Sequence, residues 1–189
     1  MRGFFRKKKR KITSLDDFED AVFSSWGVSY PSNAQRIRLR FGLWISVIAI
    51  IPKQVGGDAT QLLQVFEEAL LNESRQLTLT VEELVLIKVP TWLFELSSAD
   101  LLDAVSRRSN TVVHLNTEID GATAMLALAE VCGWRAQPWV NSRTGGPFGV
   151  VGAANLLMRG FAIGGEDKAD VQYWPQRSNE VIDVFLAMT

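Results

Sequence analysis

Cysteine and histidine are nearly absent from this sequence, which has one of each among 189 residues, Cys132 and His114. A single thiol excludes a disulfide within the chain and favours a reducing compartment. One histidine and one cysteine also give little support to a metal site or a Cys–His catalytic pair. We therefore expect no catalytic residue, no metal and no cofactor, with Cys132 a small buried thiol and His114 a solvated strand residue.

Long apolar runs are missing as well. The longest run covers residues 43–51, where Ser46 interrupts it and Pro52 stops it. A helix that spans a membrane needs roughly 20 apolar residues. The sequence thus predicts a protein that can lie on a membrane without crossing it.

Acids are missing from the first eleven residues, where bases are abundant. This stretch holds seven of the 20 lysines and arginines and none of the 21 acids, which leaves 13 bases and a net charge of −8 on the rest. Because like charges repel, residues 1–13 are predicted to be a flexible arm that precedes a single domain of residues 14–189. A cationic arm on an acidic body indicates an anionic partner.

The arm suits more than one anionic partner. Each Lys or Arg near an anionic lipid leaflet contributes roughly 1 kcal/mol, and Phe4 and Phe5 would add burial among the headgroups. Nucleic acid attracts the same charges, residues 7–11 also fit a nuclear import signal, and a solubilising tail is the plain alternative. The residues predicted to bind a membrane or another anionic partner are Arg2, Phe4, Phe5, Arg6, Lys7, Lys8, Lys9, Arg10, Lys11, Arg36, Arg38 and Arg40.

Strand-like alternation is the commonest local pattern. Residues 36–41 alternate strictly between arginine and apolar side chains, which predicts a strand that extends to residue 51. Arg36, Arg38 and Arg40 would then project from one face, either to enlarge the basic surface or to protect an exposed sheet edge from aggregation. Further strands are predicted over residues 77–81, 84–89, 111–119, 161–163, 171–174 and 181–186.

Helical spacing appears in the remaining segments. Apolar residues recur at this spacing in residues 15–25, 58–72, 122–131 and 147–157. Ser14, with an aspartate three residues later, resembles a capping box at the first of these helices. We find no internal repeat and no steady βαβ alternation. The predicted fold class is α+β: a single compact domain in which an antiparallel-rich sheet packs with two to four helices, preceded by a disordered basic arm.

Two other segments stand out. Consecutive large apolar residues over 89–94 do not fit a half-buried strand, so Trp92, Leu93 and Phe94 are candidates for self-association, with burial in the core as the alternative. Residues 145–152 are rich in glycine, but the segment lacks Gly-Lys-Ser/Thr and the GxGxxG spacing fails. An enzyme that uses this segment would be stabilised by a nucleotide or a phosphorylated ligand.

The order of these features resembles the matrix proteins of rhabdoviruses. Those proteins begin with a Lys-rich arm containing Phe or Leu, followed by a long strand and an amphipathic helix. A Val-Pro segment with an aromatic residue comes next, then an alternating strand that ends in an acid, and later a helix, an apolar strand, a charged turn and a Trp-bearing strand. The similar segments of this chain are residues 4–11, 36–51, 58–72, 89–92, 111–120 and 153–174.

Two features of that family are missing. Of its Pro-Pro-x-Tyr or Pro-Thr/Ser-Ala-Pro motif only Tyr30-Pro31-Ser32 is present, and only residues 73–76 stand where a long apolar self-assembly loop would follow the helix. The resemblance therefore does not extend to recruitment of host sorting machinery or to that mode of self-association.

The resemblance implies a structural role in viral assembly and budding, without catalysis. The protein would lie in the virion beneath the envelope, in the host cytoplasm and at the inner face of the host membrane, with the nucleus as a further location. Its partners would be anionic lipid, a nucleocapsid or ribonucleoprotein, further copies of itself and a glycoprotein cytoplasmic tail. The alternative is an RNA-binding or nuclear accessory protein that uses the basic arm.

Overall fold

The computed structural model describes residues 11–55, 59–86, 97–132, 158–160 and 162–163. Within these ranges the chain is mainly helical and carries one small antiparallel pair of strands. The predicted combination of helices with antiparallel strands is confirmed. The predicted dominance of the sheet is wrong for the described residues, where at least six helices share one hydrophobic core.

Helix α1, Leu15–Ser25, confirms the helix predicted over these residues. Ser14 has the extended backbone of an N-cap, and its hydroxyl accepts a hydrogen bond from Asp17 N at 3.1 Å. Phe18 and Val22 of this helix are fully buried. The helix therefore attaches to the body through an apolar face.

Helix α2, Asn33–Val55, occupies the segment where a strand over residues 36–51 was predicted, and that prediction is wrong. Ser32 and Gln35 form a capping box: Gln35 N donates to Ser32 Oγ at 3.2 Å, and Ser32 N donates to Gln35 Oε1 at 2.9 Å. Every residue from 37 to 47 is buried, so other elements surround this helix. A helix buried on all sides lacks the polar face whose 3.6-residue period would distinguish it from a buried strand.

Helix α3, Thr60–Ser74, confirms the helix predicted over residues 58–72 and buries Phe66. A turn then leads to β1, Thr78–Thr80, which lies within a predicted strand. β1 pairs antiparallel with β2, Glu118–Asp120. The remainder of the strand predicted over residues 111–119 is wrong, because residues 111–117 are irregular.

Helix α4, Val81–Leu86, follows β1 directly. Thr80 and Glu83 form a second capping box: Glu83 N donates to Thr80 Oγ1 at 3.1 Å, and Thr80 N donates to Glu83 Oε2 at 2.7 Å. This cap turns the chain out of the strand. The strand predicted over residues 84–89 is therefore wrong for residues 84–86, and residues 87–89 lie outside the described residues.

Helices α5, Ser98–Ser109, and α6, Gly121–Cys132, pack against each other. The second confirms the helix predicted over residues 122–131, whereas the first was not predicted. Across their outer edge, Glu130 accepts hydrogen bonds from Arg107 Nη2 at 2.7 Å and from Arg108 Nε at 2.9 Å.

The centre of the body is α2, which packs against α3 and α6. Gly42 permits a close approach on one side, since a Cβ atom there would lie 2.6 Å from Met158 Cα. Residues 162–163 are helical, so the strand predicted over residues 161–163 is wrong at these two positions. The predicted elements over residues 147–157, 171–174 and 181–186 lie outside the described residues.

Candidate functional site

The predicted arm joins the body at Ile12. This side chain is 6% exposed and belongs to the hydrophobic core, whereas Lys11 beside it is exposed. The six bases before Lys11 and both phenylalanines lie outside the described residues, so their binding role and the domain boundary after residue 13 stay predictions. Ile12 thus attaches the described end of the basic segment, Lys11, to the body.

Thr13 and Ser14 tie this exit point to α1. Thr13 N and Thr13 Oγ1 both donate to Asp17 Oδ2, at 3.2 and 2.7 Å, while Ser14 Oγ accepts from Asp17 N. The predicted capping box forms with one change: the Asp17 carboxylate accepts from the backbone N–H of Thr13 instead of that of Ser14. These contacts hold the end of the basic segment against the first turn of α1.

Glu19, on the buried side of α1, binds two arginines of α2. Its side chain is 0% exposed; Oε2 accepts from Arg36 Nη1 at 2.6 Å, and Oε1 accepts from Arg40 Nε. Arg40 Nη1 also lies 3.5 Å from Ser74 Oγ on α3. A carboxylate shared by two guanidinium groups offsets part of the cost of burying all three charges. We call Glu19, Arg36 and Arg40 the buried ion cluster.

Two further acids of α1 surround this cluster. Asp20 Oδ1 lies 3.5 Å from Arg36 Nη2, and Asp16 Oδ1 lies 3.5 Å from Arg40 Nη2. Burial by itself would lower the pKa of Arg36, but the hydrogen bond and the charge of Glu19, helped by Asp20 and Asp16, raise it above its ordinary value. Three of the α1 carboxylates, those of Asp16, Glu19 and Asp20, are thus partly neutralised by the arginines of α2.

The predicted exposed row of Arg36, Arg38 and Arg40 is wrong. In a helix, residues 36 and 40 share one side and residue 38 points elsewhere. Arg38 and Arg40 are 1% and 3% exposed, and Arg36 is bound to acids of α1. The strict alternation of six residues fits a strand, but the capping box at Ser32 and the length of the apolar run favour a helix.

Arg38 has a different environment from its two neighbours. Among the residues that the structure describes, none accepts a hydrogen bond from its Nε or Nη1. Burial lowers the pKa of this guanidinium to about 10, and the charge interaction with Cys132 at the end of α6 opposes that only in part. A buried guanidinium without such partners destabilises the fold.

The other candidate residues fall into two groups. His114 is exposed, as predicted, but it lies in an irregular connection, where its backbone N–H donates to Thr117 Oγ1 at 2.9 Å. Cys132 is 1% exposed, which confirms the buried thiol. In the described ranges no three His, Cys, Asp or Glu side chains gather as metal ligands would. The self-association candidates Trp92, Leu93 and Phe94 and the glycine-rich residues 145–152 lie outside those ranges.

Exposed apolar side chains near the end of α4 are a feature that sequence reasoning missed. Leu86 is 65% exposed, and Val112 and Leu115 on the irregular connection are 83% and 45% exposed. Glu82 N donates to Leu115 O at 2.7 Å, which holds this connection against α4. Leu115 lies within residues 111–119, for which a strand was predicted, so the apolar pattern was visible but its period was misinterpreted. In the sequence, residues 89–94 follow closely after Leu86.

No helix within the described residues combines the length and the apolar character needed to cross a bilayer. Comparison with models of protein families, with curated proteins and with solved structures found no match for this chain.

Proposed function

We propose that this chain is a matrix-type structural protein, which binds an anionic membrane through residues 2–11 and lies beneath a viral envelope. The observation that carries the proposal is the separation of charge: seven bases and no acid in the first eleven residues, against a net charge of −8 in the rest. An anionic leaflet repels an acidic body. The attraction therefore has to come from the arm.

The length of the arm supports a role for the arm in membrane attraction while the acidic body stays at a distance. The ten residues 2–11, which precede the buried Ile12, can extend to about 35 Å. Electrostatic interactions between exposed charges are screened beyond about 8 Å at physiological ionic strength. The arm can therefore contact the membrane while most acids of the body stay outside the range of strong repulsion.

The buried ion cluster supports the proposal in a second way. A free acidic surface beside the exit of the arm would compete with the membrane for its lysines and arginines. Arg36 and Arg40 instead neutralise Glu19 and lie within 3.5 Å of Asp20 and Asp16. This pairing lowers the attraction between α1 and the arm.

The further steps of assembly belong to the same proposal. Self-association would use Trp92, Leu93 and Phe94 together with the exposed Leu86 and Leu115. Bridging to a ribonucleoprotein and to a glycoprotein tail follows from the resemblance to rhabdovirus matrix proteins. In this role the protein works through adhesion and does not catalyse a reaction.

A vesicle sedimentation assay tests the proposal. Full-length protein and a variant lacking residues 1–11 are mixed with vesicles of phosphatidylcholine alone or with phosphatidylserine. The full-length chain should sediment with the anionic vesicles only, and the shortened chain with neither, because the body repels the anionic leaflet. Equal sedimentation of both proteins with anionic vesicles would contradict the proposal.

A nucleic-acid-binding or nuclear accessory protein is the second candidate. The five consecutive bases over residues 7–11 favour it, because phosphate backbones attract such a run equally well. It predicts binding to single-stranded RNA that weakens steeply with salt, together with little sedimentation on anionic vesicles. Competition between RNA and vesicles for the same labelled protein separates the two functions.

A further inference from the structure

We propose that Thr13 is a phosphorylation site and that its modification weakens the binding of the basic arm to anionic surfaces. The inference rests on the proposed function, since it concerns regulation of the same arm. Thr13 is not one of the residues predicted to bind an anionic partner, so a modification there adds a control at the end of the arm without altering its binding side chains.

Thr13 is exposed and follows basic residues in the sequence. Its side chain is exposed, and Arg10 and Lys11 precede it by three and two residues. Protein kinases that select basic substrates recognise such charge patterns before the acceptor hydroxyl. Residues 11–13 have no regular secondary structure, so this stretch can adopt an extended conformation.

A kinase can reach Thr13 only if the start of α1 opens locally. The hydrogen bonds from Thr13 to Asp17 must break, and Ile12 must leave its place in the core for the kinase to enclose the segment. Helix ends and terminal segments open at low free-energy cost compared with global unfolding. The site is therefore reachable without unfolding the body.

The chemical step is a phosphoryl transfer from a nucleoside triphosphate. Thr13 Oγ1 attacks the γ-phosphorus, the new O–P bond forms, and the bond between that phosphorus and the β,γ-bridging oxygen breaks. The nucleoside diphosphate leaves, and the hydroxyl proton passes to the kinase's catalytic carboxylate.

The product places negative charge at the root of the arm. A phosphate carries about −1.5 to −2 at pH 7, so it repels Asp17 and attracts Lys11 and the bases before it. One unit of charge near an anionic leaflet is worth roughly 1 kcal/mol, which is about a fivefold change in binding. Phosphorylation should therefore weaken binding to anionic vesicles about 10- to 30-fold.

Two other hydroxyls provide internal comparisons. Ser14, next in the chain, is half-buried, and its oxygen caps α1 by accepting from Asp17 N. Thr111 is exposed and follows Arg108 by three residues, but Arg108 Nε is bonded to Glu130. Thr111 also lies far from the arm in the sequence, so phosphate there should leave vesicle binding unchanged.

The experiment treats full-length protein and the variant Thr13→Ala with a basophilic serine/threonine kinase and ATP, and locates phosphate by mass spectrometry. Vesicles of phosphatidylserine and phosphatidylcholine then report binding before and after treatment. We expect phosphate on Thr13, about 10- to 30-fold weaker binding of the treated wild type, and no change on treating Thr13→Ala. The untreated variant should bind as the untreated wild type does.

The outcomes separate the two proposals. Phosphate only on Thr111 or Ser14, or phosphate on Thr13 without a change in binding, would overturn this inference while the proposed function stands. If the untreated wild type fails to bind anionic vesicles, the proposed function and this inference both fall.

Discussion

At the scale of single residues, three arginines of one sequence pattern have three different surroundings. Arg36 is partly exposed and Arg40 is almost completely buried, yet both bind Glu19. Arg38 lies between them in the sequence, and no described residue accepts a hydrogen bond from its Nε or Nη1. A pattern of alternating residues specifies hydropathy, but the direction of each side chain depends on whether the backbone is a helix or a strand.

The variant Glu19→Gln tests the buried ion cluster. It removes the buried carboxylate bound to the guanidinium of Arg40, 3% exposed, and leaves only the exposed Asp16 at 3.5 Å; breaking a buried pair typically costs about 3–5 kcal/mol. Urea unfolding should therefore show a free energy of unfolding lower by about 3 kcal/mol. Asp103→Asn, which alters the exposed pair with Arg107, is the matched control and should change little. Equal effects of the two variants would contradict the assignment.

Arg38→Met tests a buried arginine that lacks such a carboxylate partner among the described residues. Since no described residue accepts from Nε or Nη1, a methionine of similar length should leave the free energy of unfolding unchanged or raise it by about 1–4 kcal/mol. The folded-state pKa of about 10 lies below the ordinary value, so the cost of the charged group is present at every pH below about 10.

The pH dependence gives the second readout for that variant. The cost declines only as the pH rises from about 10 towards the ordinary arginine value, because the folded state then loses its proton first. The difference between wild type and Arg38→Met should therefore be constant from about pH 5 to pH 9. A loss of more than about 2 kcal/mol in Arg38→Met would contradict the assignment of Arg38 as a destabilising buried charge.

At the scale of elements, short capping patterns decide where strands end and helices begin. Ser32 with Gln35 begins α2, and Thr80 with Glu83 begins α4, in both cases where alternation had predicted a strand. These signals are visible in the sequence as Ser/Thr followed three residues later by Gln or Glu. The helices α1 and α3 were predictable because each has one polar face, whereas residues 37–47 of α2 are all buried and show no such period.

The contact between α2 and residues 158–160 could not be predicted from local sequence patterns. Nothing in the sequence near Gly42 indicates that Met158, more than a hundred residues away, lies against it. Such a partner is set by tertiary packing and has no local pattern. The site residues divide in the same way: the arm is evident from charge, whereas the burial of Arg38 is not.

Gly42→Ala tests that contact. Alanine is the better helix former, but its Cβ atom would lie 2.6 Å from Met158 Cα, a backbone atom that cannot rotate away. Overpacking of this kind costs about 1–3 kcal/mol, which should appear as a lower melting temperature in thermal unfolding. Removing the Met158 side chain as well, in Gly42→Ala with Met158→Ala, should not restore it. An unchanged or raised melting temperature in Gly42→Ala would contradict this packing.

At the scale of the whole molecule, the account depends on where the charge lies and not on its total. The chain as a whole has a net charge of −1, which by itself predicts no attraction to an anionic surface. The buried anchor at Ile12 and the contacts of Thr13 with Asp17 set the origin of the basic segment on the body. Binding should therefore respond to charge removed from the arm and ignore charge removed elsewhere.

Paired variants with equal net charge test this claim most directly. Lys8→Gln with Lys9→Gln removes two bases of the arm, and Arg107→Gln with Arg108→Gln removes two exposed bases of α5. Binding to phosphatidylserine vesicles at a fixed salt concentration should fall about 30-fold in the arm variant and stay within about twofold of wild type in the α5 variant. Equal losses in the two variants would show that total charge governs binding, and the account would be wrong.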